Sequence, residues 1–194
     1  MKEIAKPNDV IGASIGRNSA LNEVQKLEGR YHVVCKDKDG NVKWQDDIEN
    51  LIVTVGKNLM LDSALAGSSY TVTGPFMGLI SSVGYSAIVV GDTMASHGGW
   101  TEAGGTNAPT YSGTRKTAAW SAAAGGAKSL SAGLVFNITG TGTVKGAFIV
   151  FGTGAVNTID NTSGVLYSAG LFSGGDKSVV NTDTLTVSYT TTLT

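Results

Sequence analysis

The sequence predicts a mainly β protein: an antiparallel β-sandwich or jelly-roll-like domain with one short helix and an N-terminal arm. Three observations lead there. Glycine is abundant at 27 residues and proline scarce at 3, while charged residues make up 15%, well under the roughly 25% of an average soluble domain. Short runs of β-branched and aromatic residues are separated by Gly-, Ser-, Asn- and Asp-rich turns along most of the chain. Within several runs apolar and polar residues alternate with a period of two, as in strands half buried in an antiparallel sheet. The 194 residues suit one substantial domain better than two. They divide into an arm over residues 1–28 and a β domain over 29–194.

The arm is the least foldable stretch. Ala13, Ile15, Leu21, Val24 and Leu27 are spaced too loosely to make a core face. Asn18-Ser19 reads as the cap of a short helix over Ala20–Leu27, with Gly29 as its stop. The segment is expected either to order against a partner or to be a frayed terminus.

The β signal begins at Arg30–Lys36, where Tyr31, Val33 and Cys35 share one face. Asp37-Lys38-Asp39-Gly40-Asn41 is a hairpin turn before Val42–Asp46, with Asp46-Asp47 closing the hairpin. Asn50–Val55 reads as a third strand, broken by Gly56. Lys57–Leu65 reads as a short helix with an apolar stripe through Leu61 and Leu65, with Leu59 or Met60 beside them, ended by Ala66-Gly67. Tyr70–Val72, Phe76–Ile80 and Ser86–Val90 are short strand candidates. Residues 96–109 form a polar, Gly-rich loop, long enough to be functional or packed on a neighbour. Five further strands are expected at Thr117–Ala122, Leu130–Ile138, Thr143–Phe151, Gly164–Phe172 and Asp183–Tyr189. In Thr143–Phe151, Val144, Phe148 and Val150 are assigned to one face and Ala147, Ile149 and Phe151 to the other, so both faces are expected to be buried. In Asp183–Tyr189, Leu185, Val187 and Tyr189 face in.

Charge and cysteine usage narrow the function classes. The net charge is −1 and the pI about 6.1, which gives no basic excess to neutralise a phosphate backbone. One cysteine, Cys35, excludes an internal disulfide and suits a reducing cytoplasm. The residues after Met1 lack the apolar run of a secretory signal, and no window approaches the 18 or so apolar residues of a membrane-spanning helix. Of the 29 charged residues, 19 lie in residues 1–62. So sparse a charge in the remainder predicts either a surface covered by neighbours in the working state or a free surface rich in serine and threonine.

The residue patterns that carry chemistry are missing. Asp37-Lys38-Asp39-Gly40 resembles a calcium loop, but its glycine falls at position 4 and Ile48 occupies position 12, where an acidic ligand is needed. His32 and His97 stand in no zinc-ligand spacing. No phosphate-binding Gly-x-x-x-x-Gly-Lys and no nucleophile elbow occurs. Asp92, Glu102 and Asp176 stand as isolated acids rather than a catalytic pair. Trp44 and Trp120 read as core residues; Trp100, in a Gly-rich loop, reads as either core or an interface anchor.

The stretch Tyr31-His-Val-Val-Cys-Lys-Asp-Lys-Asp-Gly40-Asn-Val-Lys-Trp44, followed by Asn50-Leu-Ile-Val-Thr-Val-Gly56 and Leu61-Asp62, resembles the opening of a family of virion proteins from tailed bacteriophages and prophages. Gly91-Asp-Thr-Met-Ala-Ser-His97, Trp100-Thr-Glu-Ala103, Asn107-Ala-Pro-Thr-Tyr111, Leu166–Asp176 and Asp183–Tyr189 fit the same pattern, so the likeness spans about residues 30–190. The resemblance implies a β fold, a structural role in the virion and no catalytic residues. With the sparse charge and the arm, it leads to the expectation of a capsid cement (decoration) protein. Such a protein is made in the host cytoplasm and sits on the capsid surface, where it stabilises the shell. Its partners would be the major capsid protein and further copies of itself, as a dimer or trimer. Nucleic acid, membrane, small-molecule substrate, cofactor and metal are not expected. Contact residues are expected in the arm (Lys6, Ile11, Ile15, Arg17 and Leu21), in the long loop (His97, Trp100 and Asn107), and along the small residues 121–126. The alternative is a tail or fibre component that binds host glycan or receptor through Trp100.

Overall fold

Strand pairing starts from the Tyr31-Val33-Cys35 pattern. The computed structural model describes residues 26–65 and 73–194. β1 (Leu27–Lys36) and β2 (Val42–Ile52) form the predicted hairpin. Its turn is closed by Asp37, whose Oδ1 accepts from the amides of Asp39 and Asn41, both at 2.9 Å, while Gly40 takes φ +84°. That φ suits glycine because it has no Cβ to clash. Tyr31, Val33 and Cys35 are wholly buried.

The expected break at Asp46-Asp47 does not occur; β2 runs on through Asn50–Ile52, the first half of the expected third strand, whose Thr54 and Val55 belong to the helix instead. The two carboxylates lie on opposite faces of β2, Asp46 on the face of Val33 and Ile48 and Asp47 on the outer face with His32, and partners hold both. Asp46 accepts from Ser173 Oγ and the Gly174 amide and pairs with Lys177, and Asp47 accepts from Arg30 and His32. The helix α1 (Thr54–Leu65) starts earlier than expected, so Gly56 lies inside its first turn rather than ending a strand. A Cβ there would meet the Tyr167 carbonyl oxygen at 2.2 Å, so glycine lets the helix lie directly on the sheet backbone. Only Gly56 and Leu59 of α1 are buried. Of the expected apolar stripe Leu59 is buried and Met60 packs partly against the core, whereas Leu61 and Leu65 are 57% and 78% exposed.

The remaining strands are β3 (Phe76–Ser81), β4 (Lys116–Thr117), β5 (Ala127–Ser129), β6 (Leu134–Asn137), β7 (Gly142–Phe151), β8 (Val165–Phe172), β9 (Lys177–Val179) and β10 (Thr184–Leu193). The expectation of a mainly β, antiparallel, sandwich-like fold holds. The strands form one continuous sheet in the order β4-β3-β7-β8-β2-β1-β10-β5, with β6 also on β10 and β9 also on β7. The sheet curls until its margins approach. The Ser112 amide donates to the Asn137 carbonyl and the Thr139 amide to the Thr110 carbonyl, both at 2.9 Å. Residues 110–112 thereby join β6 to the segment that leads into β4.

The curled sheet encloses a core that includes Tyr31, Ile48, Leu79, Ile149, Phe136 and Val187. A second apolar cluster of Ile80, Met94, Trp100, Phe148, Val150 and Leu166 lies on the outer face of β3, β7 and β8. β7 is therefore buried on both faces, as its sequence predicts, with one correction. Val144 packs with Ala147 and Ile149, not with Phe148. The β3 register skips a residue between Gly146 and Val144, and an extra residue moves a side chain to the other face.

Three other expectations fail locally. Ser86–Val90 is irregular; the segment after β3 covers the outer cluster instead of pairing. Of the Thr117–Ala122 candidate only Thr117 is in a strand, as the second residue of β4, with Trp120 making an isolated bridge to Leu130. Leu27 and Gly29 belong to β1, so they neither end nor stop a helix, and the β domain begins two residues before the expected boundary. Gly29 is needed there because a Cβ would meet the Tyr189 hydroxyl at 2.2 Å. Residues 1–25, which hold most of the expected helix and arm, and Tyr70–Val72 lie outside the described residues.

Candidate functional site

The long loop was expected to carry contact residues, and its backbone explains what it does. Thr101–Ala103 runs beside β3: the Ser81 amide donates to the Thr101 carbonyl and the Ala103 amide to the Leu79 carbonyl, both at 2.9 Å. This turns Trp100 inward. Its indole is 2% exposed, lies 5.2 Å from the Phe148 ring, and donates through Nε1 to Asp92 Oδ2 at 3.0 Å. Trp100 therefore offers no surface to a partner or a glycan. His97 stacks on it at 4.0 Å and 24°, with Nδ1 at 3.1 Å from the Trp100 carbonyl. Asn107 is half buried and donates to the Glu102 carbonyl at 3.2 Å. Of the loop candidates, only His97 and Asn107 keep exposed surface. Lys6, Ile11, Ile15, Arg17 and Leu21 lie outside the described residues.

Sequence reading missed an ion pair beneath this loop. Arg115 donates through Nε to Glu102 Oε1 at 2.9 Å and through an Nη to Oε2 at 2.7 Å. It also reaches the carbonyls of Val156 and Asn161 at 3.2 and 2.6 Å. Glu102 in turn accepts the Asp160 amide at 2.8 Å, and Asp160 takes φ +61°. Arg115 and Glu102 are 1% and 4% exposed. Burial pushes the Glu102 carboxyl up, opposed by the Arg115 guanidinium and the Asp160 amide. The pair clamps the loop to residues 156–161. A small cavity of about 140 Å³ opens above it, lined by His97, Trp100, Asn107, Asp160 and Thr162. The available signal was a buried fork of opposite charges in a nearly uncharged half of the chain, but 13 residues separate the partners.

A larger groove of about 570 Å³ lies where β1 begins, lined by Leu27, Arg30, Asn50, Leu51, Lys57 and Thr192 among others. Its charges are mixed, and among the described residues no group of three or more His, Cys, Asp or Glu side chains converges to hold a metal ion. Burial pushes the Cys35 thiol up to about 12, which keeps it in the unreactive thiol form.

Asp46 gives the fold a pH dependence. Burial works to raise its pKa, but hydrogen bonds from Lys177, Ser173 and the amides of Asp47 and Gly174 outweigh it, lowering the pKa from 3.8 to about 2. The folded state therefore holds this carboxylate more acidic than the unfolded chain does. Its stabilisation is complete above about pH 4 and is lost as the pH falls towards 2. Urea titrations from pH 5 to pH 2 are expected to show a steeper loss for the native chain than for Asp46→Asn; parallel slopes would contradict this.

Comparison with family models, with curated proteins and with solved structures finds no match for this chain. Its class therefore rests on the fold: a curled antiparallel β protein with, among the described residues, one short, largely exposed helix.

Proposed function

We propose that the chain is a structural component of a tailed-bacteriophage virion, acting as a capsid cement protein that docks on the major capsid protein and stabilises the shell. The observation that carries this reading is the outer face of α1. Leu61 and Leu65, four residues apart on one side of the helix, are 57% and 78% exposed, and Val89 and Val90 are each 52% exposed. The Val90 carbonyl accepts from the Thr54 amide, so this pair of valines adjoins the start of the helix. Apolar surface of this kind marks an interaction site when it is contiguous. The likeness to virion proteins and the sparse charge beyond residue 62 point the same way. The glycan-binding alternative loses its main support with the burial of Trp100.

Purified particles test the reading by stoichiometry. A copy number near that of the major capsid protein, or a simple fraction of it, is expected; a few copies per hundred capsid subunits would overturn it. The double variant Leu61→Ser/Leu65→Ser removes two exposed side chains, so its thermal midpoint should stay close to that of the native chain. Its occupancy on particles is expected to drop about tenfold, since 1.4 kcal/mol of lost contact suffices for that. Unchanged occupancy would move the capsid contact elsewhere.

A further inference from the structure

The groove of about 570 Å³ lies at the end of the sheet where β1 begins, β2 ends and α1 starts. Successive side chains of a strand point to opposite faces. Leu27 therefore shares the parity of the buried Tyr31 and lines the groove from the inner side, while Leu51 shares the parity of Asp47 and lines it from the outer side. Leu27 is half-buried and Leu51 is 37% exposed, so apolar surface lies open on the groove floor. Glu49 and Lys57 stand at its rim, both exposed. Among the described residues neither of them makes an ion pair. An apolar floor with one free charge of each sign beside it suits an occupant that carries apolar residues flanked by an acid and a base.

A segment of that composition joins the sheet inside this groove. Lys26 is the first of the described residues and lines the groove wall. It is pinned there, because its amide donates to the Thr194 carbonyl at 2.6 Å and its carbonyl accepts the Thr194 amide at 3.0 Å. The 25 residues that precede it therefore reach the sheet at this point. Immediately before Lys26 stand Arg17, Leu21, Glu23 and Val24: two apolar side chains three positions apart, an acid between them and a base four positions earlier.

We propose that residues 17–25 fold back into this groove of their own chain, with Leu21 and Val24 on Leu27 and Leu51, and with Glu23 and Arg17 answering Lys57 and Glu49. Reach favours the chain's own segment over any other. A stretch of this length spans at most about 30 Å when fully extended, enough to cross the groove from Lys26 and turn back along it. Tethered at Lys26, it acts at a local concentration on the order of millimolar, which a free competitor would have to exceed. Of the arm residues expected to meet the capsid, Arg17 and Leu21 are then taken by the chain's own body, while Lys6, Ile11 and Ile15 are left for other partners. The inference goes beyond the virion reading and does not rest on it.

Hydrogen-exchange mass spectrometry on the full chain tests this. The amides of residues 17–25 are expected to exchange about tenfold or more slowly than in a free peptide of the same sequence. The slowing should be the same at low and at high protein concentration, since the groove and its occupant belong to one chain. Leu51→Asp puts a charge on the groove floor at an exposed position, and should abolish the slowing while β1 and β10 keep their protection and the thermal midpoint stays close to native. Lys57→Glu, on the exposed side of α1, should weaken the slowing as well and serves if Leu51→Asp disturbs the sheet. Exchange of residues 17–25 at the free-peptide rate overturns the proposal. So does protection that survives both variants, which would place the segment elsewhere on the molecule. Protection that rises with concentration overturns it too, by giving the groove to the same segment of a second copy. None of these readouts involves particles, so the virion reading stands or falls on its own stoichiometry.

Discussion

Arg115→Met is expected to cost about 3–5 kcal/mol, the usual penalty for breaking a buried ion pair. In a domain of this size that lowers the melting temperature by roughly 10 °C or more. The loss does not measure the strength of the attraction. Methionine fills much of the arginine volume, so little cavity forms. What changes is that Glu102, 4% exposed, is left as a buried charge with only the Asp160 amide as donor, and that the carbonyls of Val156 and Asn161 lose theirs. Leaving buried polar groups without partners costs about 1–3 kcal/mol each, more for a charge.

The double variant Arg115→Met/Glu102→Leu separates these contributions. Removing both charges abolishes the unpaired carboxylate, so it should recover much of the stability lost in the single variant. The recovery should be incomplete, because the Asp160 amide and the two carbonyls remain without their side-chain partners. Urea denaturation of the two single variants and the double variant gives the coupling directly. A double variant as unstable as the sum of the two singles would show that the pair does not act as a unit.

The strands were legible where a residue's neighbours along the chain decide its environment. Leu185, Val187 and Tyr189 alternate with Thr186 and Ser188, Tyr31, Val33 and Cys35 share one face of their strand, and all six are buried. The 37–41 turn was legible because an Asp-Gly step needs no tertiary partner to bend. The failures share one cause: the deciding partner is far away in sequence. Asp46 and Asp47 resemble a strand end until Lys177, Ser173, Arg30 and His32 are brought beside them. Trp100 resembles a loop aromatic until Phe148 and Asp92 receive it. Glu102 stood as an isolated acid because Arg115 reaches it only after the chain has doubled back. Leu61 and Leu65 erred the other way: their spacing promised a buried stripe, but α1 touches β8 mainly through its first turn and Leu59.

Gly146→Ala is expected to be the most damaging single-methyl change in the sheet. Gly146 lies in β7 opposite Leu171 of β8, where the register has just skipped a residue relative to β3. A Cβ on it would fall 1.8 Å from the Gly170 carbonyl oxygen, 2.8 Å from its carbonyl carbon and 3.0 Å from the Leu171 Cα. All three are backbone atoms, so no side-chain rotation relieves the overlap. Two central strands of the sheet must separate, and their ladder supports both apolar clusters. A loss on the order of 4 kcal/mol or more follows, at the upper end for point substitutions. Gly40→Ala is the control. Gly40 has φ +84° but nothing within 4 Å of a built Cβ, so it should lose only about 1–2 kcal/mol for the left-handed conformation. Urea midpoints should rank the native chain first, Gly40→Ala slightly below it, and Gly146→Ala far below or insoluble. Equal losses in the two variants would mean that β7 and β8 do not approach this closely at Gly146, and the β7–β8 register would have to be redrawn.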